Sequence, residues 1–322
     1  MESSKKRKVQ KKLFSVIYGR TAVILLLILI QILVMVFGIY FLTDSWTYLY
    51  GVFSIIGTIA VIYIINSEDN PAFKLTWVLC IMALPIFGTF FYIYIKSEID
   101  TRYIGKRLET LRQETEEYMC QDMEIIDAMK ESKLANKNLS FYLGKHMGFP
   151  TYGNTRLEYY PLGEDKFDAL KRELRKAEHF IFMEYFIVEG GEMWDEVRHI
   201  LEEKVAEGVE VRFMYDGMCS ISKLPSDYPW YLRRRGIRCK VFNPINPIVS
   251  TIQNNRDHRK ICVIDGKVGF TGGVNLADEY INRRERFGHW KDTAIMLEGD
   301  AVQSLTIMFL QMWNIDEKKS GV

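Results

Sequence analysis

The chain has 322 residues, with 42 Lys and Arg against 41 Asp and Glu, for a formal net charge of +1. That length suggests about two structural units, and the near-neutral balance argues against a protein that coats nucleic acid generally. Its five cysteines, Cys80, Cys120, Cys219, Cys239 and Cys262, form no Cys-x-x-Cys pair and no disulfide framework.

In chain order, Lys5, Lys6, Arg7, Lys8, Lys11 and Lys12 crowd the N-terminus ahead of any apolar segment. Thr21 to Leu42 is almost wholly apolar. As a helix it would reach roughly 33 Å, enough for a bilayer core of about 30 Å. It is too long for the apolar region of a signal peptide and leads into Thr43-Asp44-Ser45-Trp46, so it predicts a membrane span. Trp46 to Ile65 and Leu75 to Ile95 are the second and third candidates. Trp46, Tyr48, Tyr50, Trp77, Tyr92 and Tyr94 include several aromatics near segment ends, as interfacial belts require. The basic tail favours a cytoplasmic start, yet Lys96, Arg102, Lys106, Arg107 and Arg112 favour the cytoplasm after the third segment too. Either one segment is re-entrant, with Pro85 and Gly88 pointing to the third, or one basic cluster loses.

Ser97 to about Lys133 reads as a charged, helical connector, and Leu139 to Met147 as a short helix whose apolar face rests on the connector or on a membrane surface. From Tyr159 the pattern changes. A helix is predicted from Gly163-Glu164-Asp165 through Lys176, a strand over His179 to Val188, and a helix over Glu192 to Glu207 stopped by Gly208. Strands follow at Val209–Tyr215 and Ile237–Phe242, with a helix at Tyr228–Arg235 between them. Later come a strand over Trp290–Leu297 and a closing helix over Ala301–Trp313. This alternation predicts an α/β layered domain. The division expected is a basic cytoplasmic-type tail at 1–20, transmembrane segments over 21–95, a helical connector over 96–150 and the α/β domain over 151–322. The protein is expected to be multi-pass in the cell membrane.

The most informative stretch runs from His258-Arg259-Lys260 through Asp265 to Gly272-Gly273-Val274-Asn275. Ile261 to Ile264 is a β-rich apolar run, and alternation on a strand puts His258 and Lys260 on one face with Arg259 on the other. An imidazole beside an ammonium suits a phosphate ester: the first attacks phosphorus or carries a proton, the second neutralises phosphoryl oxygens. Val268 to Thr271 reads as the next strand, and Gly272-Gly273 lets backbone approach a ligand. Each part alone has a plainer reading, a structural histidine, a solvated lysine, an Asp-Gly turn. No second His or Cys stands at zinc-ligand spacing. The combination His-x-Lys-x(4)-Asp-x(6)-Gly-Gly-x-Asn is far more specific.

This stretch resembles the HKD motif of the phospholipase D superfamily. Arg256 to Lys260 and Thr271 to Tyr280 are similar to bacterial cardiolipin synthases in particular, where Gly stands at position 273 in place of the Ser common in the wider superfamily. Lys74-Leu75-Thr76-Trp77 through Pro85 to Tyr92 is similar to the N-terminal membrane domain of those synthases. Glu184-Tyr185-Phe186-Ile187, Gly208 to Arg212, Tyr215-Asp216-Gly217, Trp290-Lys291-Asp292 and Phe309 to Asn314 are similar to their first catalytic half. The resemblance implies a phospholipase D-like α/β half-domain and a two-step phosphatidyl transfer without cofactor or metal. One phosphatidylglycerol gives a phosphatidyl-histidine, and a second then gives cardiolipin. His258 is the expected nucleophile, with Lys260 and Asp265 as the other catalytic motif residues. Lys260 and Asn275 are expected on the substrate phosphate. Asp265 falls opposite His258, which favours a structural turn-holding role. Asp292 is a candidate to orient an imidazole, and Glu184 a weaker one. Phosphatidylglycerol and membrane phospholipid are the expected partners, with no nucleic acid.

Relatives of this kind carry two such motifs. Here His146, His179, His199, His258 and His289 are the only histidines, and only His289-Trp290-Lys291 repeats the His-x-Lys spacing, with Met296 where Asp should stand. The reading is a truncated or split synthase whose second His comes from a second HKD half or a homodimer. The alternatives are a single-motif nuclease active as a homodimer and an inactive membrane partner that binds anionic lipid.

Overall fold

The structure is a computed structural model. It describes residues 29, 32, 33, 36, 44–96, 99–131, 137–219, 223–244 and 256–317. Two compact units divide it, the first formed by the described residues up to Arg102, the second by the described residues from Tyr103 on.

In the first unit, α1 (Asp44–Asn66), α2 (Pro71–Ala83) and α3 (Pro85–Lys96) are apolar helices. Asn70 caps α2 by accepting from the Ala72 N–H, with Pro71 at its first position. Ile64, Ile81 and Tyr92 form a small core. Gly88 packs so closely on α2 that a Cβ there would lie 2.8 Å from the Cys80 carbonyl oxygen and from Ile81 Cα. The second membrane candidate thus lies within α1. The third is corrected: it breaks at Leu84, whose φ of −136° leaves the helical region, because Pro85 disfavours helical geometry in the residue before it. The resulting helices of 13 and 12 residues reach roughly 20 and 18 Å. Among the described residues no helix is long and apolar enough to cross a membrane. Most of the first candidate, Thr21 to Leu42, and the basic tail lie outside the described residues.

The second unit opens with all but the first four residues of α4 (Ile99–Glu114), then α5 (Met123–Glu131) and α6 (Lys137–Tyr142), which continues into a π-turn over Leu143–Met147. Then comes a mixed seven-stranded sheet of order β1-β7-β6-β5-β2-β3-β4. The strands are β1 (Thr155–Tyr160), β2 (Phe180–Tyr185), β3 (Glu210–Asp216), β4 (Arg238–Phe242), β5 (Lys260–Ile264), β6 (Val268–Gly272) and β7 (Ala294–Gly299). β2, β3 and β4 run parallel, and the remaining pairs are antiparallel. The parallel pairs are joined by α8 (Glu192–Ala206) and α9 (Tyr228–Arg233), as crossover connections require.

Alternation along the strands builds two cores. Met183 and Tyr185 on β2 and Cys262 and Ile264 on β5 face the larger, with side chains of α7 (Gly163–Arg175), α8 and α9. Phe182, Ile261 and Val263 face the smaller, covered by α10 (Val302–Trp313) through Val302, Leu305, Phe309 and Trp313. β5 sits in the middle of the sheet and is buried throughout. Its first residue, Lys260, therefore begins exactly where the core ends and the loops that carry polar groups begin.

Candidate active site

One end of the sheet gathers the C-terminal ends of β2, β3 and β6 and the first residues of β5 and β7, since Lys260 pairs with Tyr185 and Gly272 with Ala294. At this end the His258 ring stands exposed, 4.8 Å from the Phe186 ring. Lys260 is 5 % exposed. Its Nζ donates to the His258 carbonyl oxygen at 2.6 Å and lies 5.4 Å from the Phe186 ring centre. Phe186 is thus a shared platform for the imidazole and the ammonium, a role beyond its place in the Glu184-to-Ile187 stretch that resembles the first catalytic half. Burial lowers the Lys260 ammonium below its usual range, and the nearby Asp257 and Asp292 carboxylates oppose that fall. A partly desolvated cation beside an open imidazole is the arrangement that gains most from an arriving phosphate oxyanion.

The other expected residues take different places. Asn275 is 2 % exposed; its Oδ1 accepts from the Ile187 N–H at 2.9 Å and its Nδ2 donates to the Tyr280 hydroxyl at 2.8 Å. It thereby ties the glycine turn after β6 to the segment after β2. Asp292 accepts from the Thr293 N–H at 2.9 Å and packs directly on Gly273, leaving no room there for a Cβ. Its charge acts on Lys260, and among the described residues no hydrogen bond joins it to His258.

Asp265 departs from the catalytic placing. It stands past the far end of β5, five residues from Lys260, or roughly 17 Å along a strand. Its carboxylate accepts from the backbone N–H groups of Glu178, His179 and Phe180, each at 2.8 Å. Burial alone would raise this carboxyl, but the three donors outweigh it and hold it below its ordinary value. The turn it fixes is therefore the entry to β2 as well as its own, where it adopts a φ of 53°.

A buried network on the opposite face of β5 was not legible beforehand. Glu184 is fully buried, and its Oε1 lies 2.5 Å from Arg259 Nη2. Arg259 also reaches Asp257 Oδ1 at 3.2 Å through Nε. The Asp257 N–H donates to Asp216 at 2.9 Å, and Asp216 also accepts from the Met218 N–H at 2.8 Å and from Arg256 at 3.3 Å. Burial first, then the neighbouring Asp257, pushes the Glu184 carboxyl well above its usual range, against the pull of Arg259. Desolvation and the adjacent Asp257 charge thus favour the neutral form of Glu184. These bonds grip the backbone on both sides of His258. The sequence signals for them were Glu184 within the otherwise apolar and aromatic β2 and Asp216 at the end of β3, directly after the Phe213-Met214-Tyr215 run, buried acids that demand a partner.

Residues 170–313 match the family described as cardiolipin synthase, PLD-like domain. Residues 55–96 match a second family, the phospholipase D-nuclease N-terminal domain. The chain is 32 % identical over 306 residues to a cardiolipin synthase of Halalkalibacterium halodurans, covering 89 % of this chain and 58 % of that one. It is 33 % identical over 300 residues to a cardiolipin synthase of Geobacillus thermodenitrificans, covering 88 % and 58 %. An uncharacterized protein of Streptococcus mutans is 51 % identical over 259 residues, covering 80 % and 56 %. The chain thus spans little more than half the length of these curated relatives. Among solved structures, NucT from Helicobacter pylori is 13 % identical with a TM-score of 0.39, covering 50 % of this chain and 97 % of NucT. The mixed α/β sheet holds His258 and Lys260 at one end and Asp265 at the other.

Proposed function

We propose that this chain supplies the first HKD half of a membrane phosphatidyltransferase that makes cardiolipin from two molecules of phosphatidylglycerol. The observation that carries the reading is the pairing of an exposed His258 with a nearly buried Lys260 on one aromatic platform, at the open end of the sheet.

A ring nitrogen of His258 attacks phosphorus of the first phosphatidylglycerol. The P–N bond forms, the P–O bond to glycerol breaks, and the glycerol oxygen leaves with a proton from a second histidine. The primary hydroxyl of another phosphatidylglycerol then attacks; its proton passes to that second histidine, the new P–O bond forms and the P–N bond breaks. Lys260 neutralises the phosphoryl oxygens in both steps. Asn275 and Asp292 act as positioning residues, the first locking the Gly272-Gly273 turn and the second balancing the charge of Lys260. The second histidine belongs to a second HKD half or to a second copy of this chain.

The test is cardiolipin formation by the purified chain in detergent micelles of phosphatidylglycerol. His258→Ala should abolish any transfer, whereas Cys262→Ala, which alters a buried thiol on the same strand, should retain most of it. Lys260→Ala should cost about 10²-fold or more with the domain still folded. Transfer that survives His258→Ala at the starting rate would overturn the assignment.

A further inference from the structure

We propose that residues 137–149 form a docking surface for a bilayer containing anionic phospholipid, separate from the chemistry at His258 and independent of it.

The helix α6 with its π-turn leaves its large apolar side chains in solvent. Ser140 is the buried residue, its hydroxyl bonded to that of Thr151. Leu139, Phe141, Tyr142, Leu143 and Met147 are exposed, by 38 to 57 %. The second unit has twelve exposed large apolar side chains among its described residues, and these five fall within nine positions. An amphipathic helix on a water-soluble core turns its apolar face inward. A cluster turned outward forgoes the gain of burying those side chains, which is the signature of a surface with an occupant.

Charge selects the occupant. Within residues 137–149 the sequence has Lys137, Lys145 and His146 but no Asp or Glu. Cations and aromatics share the surface: Lys145 Nζ lies 5.3 Å from the Phe141 ring centre and the His146 ring 5.2 Å from that of Tyr142. Beside it opens a cleft of about 500 Å³ lined by Arg112, Lys145, Met147, Phe149 and Met308, with Glu109 and Glu116 also on its wall. Arg112 donates to the His146 carbonyl oxygen at 3.4 Å and leaves the rest of its guanidinium open. Aromatics interleaved with lysines suit the boundary between head groups and acyl chains, and a run without acids suits an anionic surface. A protein partner would need only the apolar half of this pattern.

The experiment uses the full chain in lipid nanodiscs, with Cys120→Ser to remove the exposed native thiol. A polarity-sensitive fluorophore is placed at Phe141→Cys or, as control, at Arg156→Cys on an exposed strand position of the same unit. In discs of equal phosphatidylglycerol and phosphatidylcholine, acyl-brominated lipid should quench the probe at 141 at least twofold more than at 156. Lys145→Glu, or discs of phosphatidylcholine alone, should bring the two closer together. Equal quenching at both sites overturns the proposal. Shielding at 141 that brominated lipid does not touch also overturns it, in favour of a protein partner or a second copy.

Discussion

Lys166 shows how a single residue beneath the site shapes stability. It lies in the first turns of α7, 2 % exposed. Its ammonium donates to the Tyr185 hydroxyl at 3.1 Å and sits 5.1 Å from the ring centre of the same tyrosine. Burial pulls it down to about 8 from an ordinary 10.5, a penalty of roughly 3 kcal/mol while it stays charged. Below about pH 8 that penalty is constant. Between about 8 and 10.5 the folded chain sheds the proton before the unfolded chain does, so stability rises with pH; above that window the penalty is gone. The wild type should therefore gain on Lys166→Met across this window in denaturant titrations, and parallel curves would remove the buried charge from the account. At the same scale, Asp265→Asn should cost about 2 kcal/mol through the lost acceptor at the entry to β2. Its folded fraction should still react at His258 as the wild type does. Normal stability with chemistry abolished would return Asp265 to the reacting atoms.

At the scale of elements, the helix pair α2–α3 depends on the close approach at Gly88. Gly88→Val should loosen the hairpin and raise amide hydrogen exchange in both helices, whereas Gly51→Val, where a Cβ meets nothing within 4 Å, should not. Elements with a strong period were legible in the sequence. The strand expected over Ile261–Ile264 is β5, the helix expected from Gly163 is α7, and the closing helix is α10, because each has a fully apolar run or one clean apolar face. β1 was missed: Thr155–Tyr160 is a sheet edge pairing only with β7, half polar, with Leu157 and Tyr159 exposed. The strand expected from Trp290 begins only at Ala294, because Trp290 and Asn282 exchange hydrogen bonds of 2.7 and 3.0 Å that clip the preceding loop. The break at Leu84 was marked by Pro85 but hidden by the hydropathy around it. At the site, alternation correctly parted His258 and Lys260 from Arg259. It could not show the Glu184–Arg259–Asp257–Asp216 network, since that joins β2, β3 and the segment before β5 across long sequence separations.

At the scale of the whole molecule, one His-x-Lys-x(4)-Asp stretch supplies one nucleophile, and the proposed transfer needs a second histidine to protonate glycerol. General acid catalysis is typically worth about 10²–10⁴-fold, so a proven monomer should make cardiolipin at that much below the rate of an assembly with two motifs. Dimerising the chain, or adding a polypeptide that carries the second motif, should restore the rate. Full turnover by the monomer would require an acid elsewhere.

The most direct test of the central claim removes that dependence on a second histidine. A phosphatidyl ester of p-nitrophenol has a leaving group that departs without protonation, so nucleophilic attack can be observed alone. The chain should release a burst of nitrophenolate approaching one equivalent and retain an alkali-stable, acid-labile phosphatidyl label on the peptide that contains His258. His258→Ala should give neither burst nor label. Label trapped at the wild-type level in His258→Ala, or a folded wild-type chain that never acquires label, would contradict the account.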